Sequence, residues 1–114
     1  MKRQASEGRV AQRELVGVDE RGTEERIVLW IERRPGAAWA VCRAVNPALR
    51  ANGSDARPED IVFEGYELAE ALEQANAALE DDVRVLEEDG RDVSVRPFTR
   101  KEVLPLLERF FFGR

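Results

Sequence analysis

The sequence predicts an α+β fold: a twisted antiparallel sheet of four to five strands, one long helix over about residues 66–88 packed on one sheet face, and a shorter C-terminal helix over about 100–112. Three observations predict it. The stretch YELAEALEQANAALEDDVRVLEE repeats Leu68, Leu72, Ala75, Leu79, Val83 and Leu86 at three- and four-residue steps, the period of one helix face. At 1.5 Å per residue such a helix spans roughly 30 Å, enough to cross a small sheet. Before it come short runs rich in β-branched and aromatic residues, separated by Gly, Pro and Asn breakers.

Each element follows in order. Residues 1–9 have no periodicity and read as an N-terminal arm, leaving 10–114 as a single domain. Val10–Val18 is a first strand, closed by the turn Asp19-Glu20-Arg21-Gly22. Arg26–Glu32 (RIVLWIE) is the clearest strand. Arg34-Pro35-Gly36-Ala37 turns the chain, and Ala38–Val45 returns as a third strand. A reversal about the Pro35–Gly36 bond sets Ile31 opposite Ala40, Leu29 opposite Cys42 and Ile27 opposite Ala44. That register places a small-residue row under the Ala-rich flank of the helix (Ala69, Ala71, Ala75, Ala78). It also gathers Val28, Trp30, Trp39, Val41 and Val45 on the other face, rimmed by Arg26 and Arg43.

Residues 46–59 form a loop longer than most connections, a flap or a long crossing. Asp60–Glu64 is a short fourth strand. Gly65 turns into the helix, where Glu67 and Glu70 suit the positive end of its dipole, and Gly90 is the expected stop. The alternative ends the helix near Asp81 and pairs Val83–Val85 with Val93–Val95 through Asp89-Gly90. Asp92–Phe98 is a fifth strand or an extended segment. Thr99 to Glu102 has capping-box spacing before the last helix, which Pro105 kinks or delays.

Composition narrows the chemistry. There is no histidine and a single cysteine, Cys42, so His-assisted nucleophiles, His-containing zinc sites and iron–sulfur ligation have no donors. The glycines are scattered, without a phosphate loop or dinucleotide fingerprint. Glu80-Asp81-Asp82 and Glu87-Glu88-Asp89 fit no calcium loop. No catalytic residue, cofactor or metal is expected, and the chain reads as non-enzymatic. Cys42 reads as a small buried hydrophobe. With no membrane-length apolar run and no secretion signal, a cytoplasmic protein is expected, and the excess of Arg over Lys with many Ala, Glu and Asp residues suggests a GC-rich bacterial genome.

Two functions remain. In the first the chain is an interaction module, a homodimer or an adaptor for another protein. Its interface is the sheet face of Trp30, Trp39, Val28, Val41, Arg26, Arg43, Arg33 and Arg34, or the Phe110, Phe111, Phe112 cluster, all residue types enriched in interfaces. In the second, bases of single-stranded DNA or RNA stack on Trp30 and Trp39. Arg26, Arg33, Arg34, Arg43 and an N-terminal basic set (Lys2, Arg3, Arg9, Arg13) then hold phosphates. Strands followed by a long helix, over residues 10–88, resemble in element order the unit of the Whirly, PUR and positive-cofactor-4 families of single-strand binders. No motif residue matches those families, so no site is carried over. The net charge of −5 disfavours nucleic acid. Residues 1–58 carry +3 and 59–114 carry −8, so the acidity belongs to the helical half.

Overall fold

The computed structural model describes residues 8–46, 58–91 and 93–103. Four strands, β1 (Arg9–Val18), β2 (Glu24–Arg34), β3 (Ala38–Val45) and β4 (Ile61–Gly65), form one sheet in the order β1-β2-β3-β4, antiparallel throughout. The β1–β2 turn is built by Asp19. Its Oδ1 accepts from the backbone N–H of Arg21 and Thr23 (3.0 and 2.9 Å), and Gly22 supplies φ 82°, a left-handed value that glycine adopts without steric cost.

The β2–β3 register differs from the expected one by a single residue. The turn is the three-residue 3₁₀ segment Pro35–Ala37, with Gly36 at φ 80° and Ala37 at φ 65°. Its odd length pairs Ile31 with Val41, Leu29 with Arg43 and Ile27 with Val45. Because side chains alternate with period two, this shift moves all of β3 to the opposite face. The row meeting the helix is therefore Trp39, Val41 and Arg43. Ala40, Cys42 and Ala44 lie on the far side with Val28 and Trp30.

Helix α1 (Leu68–Glu88) follows β4 after two residues, Tyr66 and the N-cap Glu67. It buries Ala71, Ala75, Leu79 and Leu86 against Leu15, Ile27, Leu29, Ile31, Trp39 and Val41. The two fully buried alanines let the backbone approach the Trp39 and Val41 row closely, which is where the Ala-rich flank contributes. At its C-terminus Gly90 (φ 81°) donates to the Glu87 carbonyl and Arg91 N–H to the Leu86 carbonyl (3.0 and 2.9 Å), a Schellman closure that satisfies the last-turn carbonyls. The helix thus runs through Val83–Val85, and the alternative hairpin does not form.

Residues 93–98 form no regular secondary structure and pair with no strand among the described residues. Two side chains hold them instead. Asn76 of α1 makes two bonds to Phe98, donating Nδ2–H to its carbonyl (3.0 Å) and accepting from its N–H at Oδ1 (2.7 Å). Arg13 of β1 donates to the carbonyls of Arg96 and Pro97 (both 2.8 Å). Phe98 and Val103 are buried in the main core. The final helix opens at residue 100 after the expected cap, Glu102 Oε1 accepting from Thr99 N–H at 2.8 Å. The end of this helix, Pro105, and most of the 46–59 loop lie outside the described residues. Among the described residues no helix is long and apolar enough to cross a membrane.

Candidate functional site

The predicted aromatic face is divided between the two sides of the sheet. Trp30 (2 % exposed) lies on the face away from α1 and Trp39 (3 % exposed) on the face beneath it. Each ring is covered by a guanidinium, Arg9 at 4.0 Å over Trp30 and Arg33 at 4.4 Å over Trp39, an arrangement stabilised by the ring quadrupole. Val41 sits with Trp39 in the main core, and Val28 with Trp30 in the smaller cluster. Phe110, Phe111 and Phe112 lie outside the described residues.

The four predicted arginines of that face are also dispersed, each with its own partner. Arg43 reaches across to α1 and grips Asp82 with two bonds, Nε to Oδ2 at 2.8 Å and Nη2 to Oδ1 at 2.7 Å. Hydrogen bonding to the buried Asp82 holds the Arg43 pKa above its ordinary value. Arg34 donates to Glu32 (2.7 Å), and this bond raises the Arg34 pKa against the opposing effect of burial. Glu32 also accepts Trp30 Nε1–H at 2.9 Å. Arg26 pairs with Glu14 at 3.0 Å on the exposed surface, a contact worth little by itself. Of the N-terminal basic set, Lys2 and Arg3 lie outside the described residues, and Arg13 is 8 % exposed and turned inward.

Cys42 lies on the face away from the helix, fully buried beside Trp30 and Ala40. Burial first, and the nearby Glu32 carboxylate second, push its thiol up to about 12. At neutral pH it carries no thiolate with which to attack or ligate. Among the described residues no group of three or more His, Cys, Asp or Glu is arranged to hold a metal ion.

An apolar concave feature of the described surface lies where the sequence predicts only core and strand. α1 covers β2 to β4, and the 93–98 segment lies beside it, tied to β1 by Arg13. Between them runs an open groove of about 350 Å³. Leu79, Val83, Val95 and Pro97 form its floor and walls, and Glu80, Arg84 and Glu87 its outer lip. Asn76 closes one end with its bonds to Phe98.

No protein-family model, no curated protein and no solved structure matches the chain. The function must be read from this geometry.

The lip has a definite electrostatic character. α1 carries seven carboxylates against one arginine. Asp82 is neutralised by Arg43, and Asp81 by Arg84 at 2.9 Å. Glu80 and Glu87 make no ion pair with a described residue, and Glu73 continues their row at the same seven-residue spacing. One sequence signal marks this side of the helix: Asn76 interrupts the apolar series Leu72, Leu79, Val83. A polar residue there needs a hydrogen-bonding partner once half-buried, and its partner is the C-terminal segment.

Proposed function

We propose that the protein is a non-catalytic interaction module whose working surface is the groove between α1 and residues 93–98. The observation that carries this reading is the groove itself. It is an apolar concavity with half-buried Val83 and Val95 in its walls, bordered by exposed carboxylates, and such surfaces mark partner sites more often than chance exposure does. The ionisable groups brought together elsewhere are paired with each other, as in Arg13–Glu102, Arg43–Asp82 and Arg34–Glu32. That pattern favours a scaffold over an acid–base site. The single-strand platform receives less support, since it requires Trp30 and Trp39 side by side and open, and base stacking would have to displace Arg9 and Arg33.

The test compares the purified protein with two helix variants, Val83→Arg in the groove and Gln74→Arg on the exposed far side of α1. Light scattering and co-purification are read together. The module reading expects a discrete assembly, either a dimer of the 12.9 kDa chain or a stoichiometric complex with another polypeptide. It should be lost in V83R and kept in Q74R. Identical behaviour of wild type and V83R in both measurements would overturn it.

A further inference from the structure

Resting on that reading, we infer that the groove receives a basic amphipathic segment of another protein, laid lengthwise along α1. Glu73, Glu80 and Glu87 recur every seven residues, two helical turns apart, so they stand in one row at intervals of about 10.5 Å over about 21 Å. Beside that row stand Leu79 and Val83, the apolar floor, completed by Val95 on the facing wall.

An apolar stripe flanked by a carboxylate row is the complement of a segment with apolar anchors flanked by Lys or Arg. Helix-in-groove recognition uses this pairing, with the anchors supplying affinity and the rim charges orientation and association rate. The row is available for it because the neighbouring carboxylates, Asp81 and Asp82, are already committed to Arg84 and Arg43. An acidic or uncharged segment would bring like charge, or no compensation, to the lip. A nucleic acid would be repelled by it.

The test titrates the full chain with a fluorescent leucine/lysine amphipathic peptide of about five helical turns, and with its counterpart in which every lysine is glutamate. Binding of the lysine peptide is expected to weaken with salt. It should fall by about tenfold or more in V83R, as for loss of a buried anchor contact, and by a similar factor in the double variant E80K/E87K, while Q74R stays close to wild type. The glutamate peptide should not bind. Equal binding of both peptides, no binding of either, or equal loss in V83R and Q74R would overturn the inference. If the chain proves to be a dimer that V83R dissociates, the groove is a self-interface: the interaction-module reading then stands and this assignment falls.

Discussion

Replacing Arg13 with Met should cost about 3 kcal/mol of stability, near the lower end of what breaking a buried ion pair costs. Arg13 is 8 % exposed and donates to the Gln12, Arg96 and Pro97 carbonyls, while its guanidinium makes two bonds to Glu102 at 2.7 and 2.8 Å. Methionine keeps the aliphatic stem against Phe98, over whose ring the guanidinium lies at 4.7 Å, and removes the charge and every donor. Charge-assisted bonds contribute about 1.5–3 kcal/mol each and do not add fully within one network. Glu102, with 27 % of its side chain exposed, rehydrates in part, which keeps the loss at the lower end. Urea unfolding followed by far-UV circular dichroism should show the midpoint falling by about 1–2 M at a slope of about 2 kcal/mol/M. A cycle with Glu102→Gln should give a coupling of about 1–3 kcal/mol. An R13M variant within about 1 kcal/mol of wild type, typical of an ordinary surface change, would refute the reasoning that this arginine holds the C-terminal segment in place.

Three further outcomes follow from the same geometry. Hydrogen bonding from Arg13, reinforced by the Thr99 N–H, holds the Glu102 carboxyl below its ordinary 4.5 against the opposing effect of burial. A depressed folded-state value means that its contribution is complete above about pH 4.5 and is lost as pH falls below that. Stability measured from pH 6 to 3 should therefore drop less steeply in E102Q than in wild type, and parallel curves would contradict the clasp. Cys42, raised from 9.0 to about 12, should resist a thiol reagent at pH 8 in the native state and react once the chain is unfolded. Its contribution to stability is constant below pH 9 and declines above it, since only the unfolded thiol ionises there. Rapid native labelling would show that the face carrying Trp30 and Cys42 is open. Gly17→Ala places a methyl 2.9 Å from Arg91 Cδ and 3.2 Å from Leu86 Cδ2. It should lower thermal stability by about 1–3 kcal/mol through overpacking, and an unchanged melting temperature would show that Arg91 yields freely.

The parts of the fold that were legible in the sequence are those set by local chemistry. The 3.6-residue period located α1 to within two residues of its start, Gly90 marked its end, and Thr99 and Glu102 marked the start of the last helix. β3 has the expected bounds, whereas β2 extends two residues further at each end. What failed was long-range and turned on one residue. Nothing in RRPGAA distinguishes a two-residue reversal from the three-residue turn, yet that difference separates Trp30 from Trp39 and sends Cys42 to the face away from the helix. The groove was hidden for a related reason. Its second wall is held by Arg13 and Asn76, whose partners lie far along the chain, and alternation in Val93-Ser94-Val95 reads equally as a strand. Leu79 and Val83 bore the correct apolar signal, but periodicity does not say that one flank of the stripe meets a groove and the other a sheet.

Whether a basic amphipathic partner sits in the groove beside α1 can be read from an amide chemical-shift map. The ¹⁵N-labelled full chain would be titrated with the leucine/lysine peptide at low and moderate salt. Shifts should concentrate at Asn76, Leu79, Val83, Val95 and the Glu80 and Glu87 lip, with β3 and the Gln74 flank unmoved. Shifts centred on the Trp30 and Cys42 face, or spread evenly over the acidic residues of the chain, would contradict that placement.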